Sequence, residues 1–110
     1  MAQLTTEVIF DHITKKGKMK TIYKYNLNIE DQQVIQMPIG AKILTVQVQK
    51  GEIQLWALVN PEIPTQARTI EIIGTGNPIN DDIVGERNYI ATFQLQDGTL
   101  VFHVFELDIF

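Results

Sequence analysis

The chain has 110 residues, a formal net charge of −4 and no cysteine. That length is one domain, residues 1–110, able to bury roughly two-thirds of its unfolded surface. The lack of cysteine excludes a disulfide framework, a thiolate metal site and a cysteine nucleophile, and suits a reducing compartment. An acidic chain with two arginines lacks the clustered cations that duplex DNA requires, and no apolar run approaches the ~20 residues that span a bilayer. The first residues, Met1-Ala2-Gln3-Leu4, lack the basic start and apolar core of a secretion signal.

In chain order, residues 8–13 and 21–27 are rich in β-branched and aromatic side chains and read as a hairpin turning at Lys16-Gly17. A helix over residues 5–13, capped by Thr5 or Thr6, is the competing reading. Lys15, Lys16, Lys18, Lys20 and Lys24 read most simply as a solvated turn, with a phosphate contact as the functional alternative. Residues 33–37 form a short strand that Pro38 ends, because proline has no ladder donor. Ile39-Gly40 turns the chain. Residues 42–49 then alternate, with Leu44, Val46 and Val48 expected on one face and Thr45, Gln47 and Gln49 on the other. Lys50-Gly51 is a tight turn, residues 53–59 return as the partner strand, and Asn60-Pro61 breaks it.

Residues 68–73 are another strand, ending in the turn-rich stretch Gly74-Thr75-Gly76-Asn77-Pro78. Residues 89–95 and 100–105 flank Asp97-Gly98, a preferred pair for a two-residue type I′ hairpin turn, which predicts Gln96 and Thr99 as paired neighbours. The strand from Leu100 to Phe105 is apolar on both faces and needs cover on both. In so short a chain, with Leu107, Ile109 and Phe110 following, a second subunit is the expected cover, so a homo-oligomer is expected. The fold class is all-β: a small antiparallel sandwich or curved sheet of six to seven short strands.

Candidate site residues are few. Gly74, Thr75, Gly76 and Asn77 bring backbone N–H groups, a hydroxyl and an amide into one loop, which suits a phosphate or carboxylate; a tight turn explains the same residues. Arg68 can grip a phosphate bidentately or pair with a carboxylate at a strand end. Trp56 is either core or a stacking platform for a nucleobase, with Gln54 and Leu58 sharing its face. Tyr89 is a second candidate aromatic. His103, between Phe102 and Val104, reads as a satisfied core or interface group. Asp81, Asp82 and Glu86 read as a solvated acidic loop, with no metal expected. No nucleophile with a base, no cofactor motif and no dinucleotide fingerprint are present, so neither catalysis nor a cofactor is expected.

From residue 21 onward the chain resembles a family of short, phage-encoded proteins catalogued as a domain of unknown function. The landmarks are Thr21-Ile22-Tyr23-Lys24-Tyr25, Met37-Pro38-Ile39-Gly40-Ala41-Lys42-Ile43-Leu44, Val46-Gln47-Val48-Gln49, Leu55-Trp56-Ala57-Leu58-Val59, Gly74-Thr75-Gly76 with Pro78-Ile79, Thr92-Phe93-Gln94, and Leu100-Val101-Phe102-His103-Val104-Phe105-Glu106. Family members often carry His where this chain has Asn77, and they tend to begin near Met19, which makes residues 1–18 an extension. The resemblance implies a phage or prophage origin, expression in the bacterial host cytoplasm and no established activity.

The expected function is that of a non-enzymatic phage accessory protein, in its sharpest form a counter-defence protein sequestering a nucleotide-like host signal through Gly74, Thr75, Gly76, Asn77, Arg68 and an aromatic, Trp56 or Tyr89. The alternatives are an interaction module that inhibits a host protein and a structural phage component.

Overall fold

The computed structural model describes residues 19–82 and 85–109, which form seven strands and no helix. The proposed hairpin arm over residues 8–13, its helical alternative, the lysines before Met19 and the C-terminal Phe110 lie outside the described residues. The strands are β1 (Thr21–Leu27), β2 (Gln32–Pro38), β3 (Lys42–Gln49), β4 (Glu52–Val59), β5 (Thr65–Gly74), β6 (Gly85–Leu95) and β7 (Leu100–Ile109). They build two antiparallel sheets, one ordered β1-β4-β3 and the other β2-β5-β7-β6. The expected small all-β sandwich is what forms.

Turn chemistry sets much of this order. Lys50 and Gly51, both at positive φ, join β3 to β4 so that Gln49 pairs with Glu52, the two-residue hairpin expected of a type I′ turn. Pro38 closes β2, and its carbonyl accepts from Ala41 N at 3.0 Å across the Ile39-Gly40 turn. β1 and β3 then lie in one sheet, with β2 between them in sequence placed in the other. β1 therefore pairs with β4, Thr21 opposite Val59 through Leu27 opposite Ile53, a contact between segments far apart in the chain.

The core lies between the sheets and draws on every strand: Leu27, Met37, Val46, Leu55, Ile70, Phe93 and Val104 are all buried. On β4 the alternation is complete. Ile53, Leu55, Ala57 and Val59 face inward, while Gln54, Trp56 and Leu58 face out. On β7, Val104 and Leu107 are buried and Val101 and Phe105 are half-buried. The strand is thus apolar on both sides, as its sequence suggests, with the Phe102 ring stacked on Phe93 inside at 5.4 Å.

Two bulges break the expected alternation. In β3 the register shifts between Ile43 and Thr45, so Ile43 still faces Ala57 but Thr45 faces Trp56. Leu44 is the extra residue, and it is exposed rather than sharing the inner face with Val46 and Val48. A bulge puts two residues against one and flips the alternation beyond it. The second bulge, between Tyr89 and Ala91, does the same in β6.

The β6–β7 hairpin forms at Asp97-Gly98, with Thr99 N donating to Gln96 O at 3.1 Å. The ladder, however, closes at Leu95 opposite Leu100, one pair earlier than a two-residue turn would give. Gln96 also takes positive φ and is drawn out of the strand, because Gly98 N donates to Leu95 O at 3.1 Å. Gly98 has φ 86°, and a Cβ there would lie 3.0 Å from Gln94 Oε1. Gly98→Val is expected to cost about 1–2 kcal/mol, since a β-branched residue resists this conformation. Urea unfolding checks this; a variant as stable as the parent would contradict it.

Candidate functional site

The loop after β5 is a hydrogen-bonded turn. Asn77 N donates to Gly74 O at 3.0 Å and Thr75 N donates to Val101 O at 3.0 Å. Gly76 sits at φ 88°, the position of a type II turn that requires a left-handed residue. A Cβ on Gly74 would come within 2.9 Å of Asn77 Nδ2, so the turn's own packing accounts for the first glycine. Two of the N–H groups expected to cradle an anion are therefore already spent on backbone carbonyls, one within the turn and one on β7. Asn77 lines a recess of about 390 Å³ together with Asp31, Glu71, Ile73 and Asn80. Its walls carry two carboxylates, a poor lining for phosphate.

Thr75 and Tyr89 are brought together, through residues not singled out for it. Thr75 Oγ1 lies 2.7 Å from His103 Nε2, His103 Nδ1 lies 3.0 Å from Thr92 Oγ1, and Thr92 Oγ1 lies 2.7 Å from Tyr89 Oη. This chain of polar contacts crosses the outer face of the four-stranded sheet. The bulge in β6 makes it possible, because it leaves Tyr89 and Thr92 on one face. His103 is satisfied on both nitrogens, by hydroxyls rather than by core packing. The Thr75–His103 pair has a hydroxyl beside a base, but no carboxylate orients the ring and both threonines are exposed, so water is not excluded. Tyr89 is 61% exposed, with its ring edge-on to Phe105 at 5.7 Å. Arg87 lies over the same Phe105 ring and pairs with Glu71 at 2.6 Å. Hydrogen bonding to Glu71 holds the Arg87 guanidinium above its ordinary pKa, against the opposing effect of burial.

Arg68 is elsewhere. It shares the inward side of β5 with Ile70 and Ile72 and forms a two-point ion pair with Glu106 of β7, Nη2 to Oε1 at 2.9 Å and Nε to Oε2. Its Nη1 donates to Ala41 O at 2.9 Å. The guanidinium is thus tied to a carboxylate, to the start of β3 and, through charge, to Tyr25. Hydrogen bonding to Glu106 raises its pKa most, and burial opposes that. Burial holds the Tyr25 phenol above its ordinary value, Tyr23 adds to this and Arg68 partly offsets it. A polar recess of about 390 Å³ opens beside the ion pair, lined also by Gln66, Asn88 and Asp108.

Trp56 is on the far side of the molecule, half-buried at the middle of the outer face of the three-stranded sheet. Lys24 of β1 lies directly opposite it on one side and Thr45 of β3 on the other. Lys42 of β3 lies opposite Leu58, one outward position along, as does Ile22 of β1. The bulge at Leu44 is what places both Lys42 and Thr45 on this face. Below Trp56 come amides: Gln54 Nε2 donates to Asn26 Oδ1 at 3.2 Å, and Lys24 Nζ donates to Gln49 Oε1 at 2.9 Å. The three strands contain one acidic residue, Glu52, at the start of β4.

The seven residues proposed from sequence thus fall in three places. The loop residues Gly74, Thr75, Gly76 and Asn77 share a region with Tyr89. Arg68 sits between the sheets, and Trp56 lies on the opposite outer face. Of the lysines near Trp56, the sequence reads Lys24 as a solvated-turn charge with a phosphate contact as the alternative, and does not single out Lys42. The signal for them was present in the alternation of their strands but needed the β1–β4 register to be read. Among the described residues no group of three or more His, Asp or Glu side chains could hold a metal ion, and no helix is long and apolar enough to cross a membrane.

The sequence model of one protein family, described as a domain of unknown function (DUF7352), matches residues 19–109. No curated protein and no solved structure matches the chain.

Proposed function

This chain belongs to the DUF7352 family, a domain of unknown function, and from that premise we propose that it is a binding protein without catalysis that holds a nucleotide-like anion on the outer face of its three-stranded sheet. The observation that carries the reading is Trp56, half-buried at mid-face with Lys24 opposite and Lys42 one position along. An indole face stacks a nucleobase of any identity, worth ~1–3 kcal/mol per base, and lysines supply the charge that phosphate seeks. The other sheet offers less: Arg87 and Arg68, its cations among the described residues, are both paired with glutamates. In its full form the reading is a phage accessory protein of the host cytoplasm that sequesters a nucleotide-like signal. Origin and compartment rest on the family resemblance; the counter-defence role rests on analogy with other small phage accessory proteins.

Trp56 is the single tryptophan of the chain, so intrinsic fluorescence reports on this face alone. Titration with nucleotides is expected to quench it, and nucleotide is expected to be released on heating protein exposed to host extract. Unchanged fluorescence and no released nucleotide would contradict the reading.

A second reading has its own observation. Tyr89 is 61% exposed yet fixed by Thr92 and Phe105, the kind of rigid aromatic that anchors protein interfaces. A pull-down returning one stoichiometric host protein, with no nucleotide, would favour an inhibitory interaction module built on that face.

A further inference from the structure

The spacing of charge around Trp56 narrows the ligand class, on the premise that this face binds nucleotides. Lys24 and Lys42 do not lie side by side. Lys24 is on β1 and Lys42 on β3, with β4 and its Trp56 between them. The Lys24 ammonium reaches across β4 to Gln49 Oε1, toward the Glu52 end of the sheet, while Lys42 stands opposite Leu58 toward the other end, so the two charges lie on opposite sides of Trp56 along β4. A nucleoside 5′-phosphate carries all of its charge on one side of the sugar. Stacked on Trp56, it would engage one of these lysines and leave the other without a partner.

We propose that the ligand is a 3′,5′-linked di- or trinucleotide, linear or cyclic, with one base on Trp56 and the phosphates on either side of that nucleoside directed to Lys24 and Lys42. Three features of the face agree. Lys24 Nζ gives one hydrogen bond to Gln49 Oε1, which steadies the ammonium and leaves two of its three donors for phosphate. The amides of Asn26 and Gln54, joined to each other at 3.2 Å, continue the face beyond Trp56. Asn26 is exposed and presents its amide where a neighbouring base or ribose would lie, while Gln54, 8% exposed, supports it from below. The single acid of these strands, Glu52, is at the end of β4 opposite Gln49, four residues along the strand from Trp56, so no carboxylate on them adjoins the indole. The length of the face sets the upper limit. Strands of seven or eight residues span ~25 Å, and one aromatic platform serves one stacked base, which favours a short oligonucleotide over a long single strand.

The test is calorimetric titration of the full chain with four probes: adenosine 5′-monophosphate, adenosine 3′,5′-bisphosphate, a 5′-phosphorylated diadenylate and a long single-stranded oligoadenylate. The bisphosphate and the dinucleotide are expected to bind at least about tenfold tighter than the monophosphate. Their affinity should fall with salt more steeply than that of the monophosphate, because two ion contacts are made rather than one. Lys24→Gln and Lys42→Gln, both exposed substitutions, should each reduce that salt dependence and remove the preference over the monophosphate. Equal binding of monophosphate and bisphosphate would overturn the bridging ligand while leaving nucleotide binding on Trp56 intact. Binding of none of the probes would overturn both. An oligoadenylate that binds several copies in a row, far tighter than the dinucleotide, would overturn the short ligand in favour of a single-strand binder.

Discussion

Arg68→Ala is expected to destabilise the protein by about 2–3 kcal/mol, measured by urea unfolding. The guanidinium makes a two-point pair with Glu106 and a bond to Ala41 O, and both side chains are largely buried, at 15% and 21% exposure. Truncation leaves the Glu106 carboxylate between the sheets without its partner and removes a strut from β5 to the start of β3. Losing one member of a buried pair costs more than the pair contributes, because the remaining charge is desolvated. The residual exposure of both groups keeps the figure below the fully buried range. The double variant Arg68→Met with Glu106→Leu is expected to recover most of the loss, since it leaves no orphaned charge. A single variant within about 0.5 kcal/mol of the parent would place the pair with ordinary surface ion pairs and contradict its role between the sheets.

The second large effect separates two neighbours on β4. Leu55 is fully buried at the centre of the core and Trp56 faces outward. Leu55→Ala is expected to cost about 3–4 kcal/mol, the removed side chain plus the cavity it leaves, without changing how the folded fraction binds nucleotides. Trp56→Ala is expected to cost less stability and to abolish nucleotide binding followed by calorimetry. If Trp56→Ala were the more destabilising, or bound nucleotide as the parent does, the outer face would be structural.

The sequence carried the strands and turns well, because the devices that set them are local. Lys50-Gly51, Asn60-Pro61 and the alternation of β4 each announce themselves within a few residues. The placement of the candidate site was harder to read, since it depends on pairings between distant segments. Lys24 looked like one charge of a solvated turn until β1 was seen against β4, opposite Trp56. Lys42 and Thr45 reach the same face only because Leu44 is bulged out, and a bulge leaves no mark in a run such as Lys42-Ile43-Leu44-Thr45. The glycines of residues 74–77 drew attention for phosphate chemistry, but their turn geometry consumes the same backbone donors. Arg68 was identified as a cation able to grip an anion; its partner, Glu106, comes from a strand 38 residues away in sequence. His103 was read as satisfied, and it is, though by Thr75 and Thr92 from two other segments.

The most direct measurement is amide chemical-shift mapping of the full chain with the 5′-phosphorylated diadenylate. Nucleotide binding at Trp56 predicts shifts at the Trp56 indole N–H and along β1, β3 and β4, greatest near Lys24, Lys42 and Thr45, with β5, β6 and β7 largely unmoved. Shifts centred on Asn77, Tyr89 and His103, or no shifts at all, would contradict it.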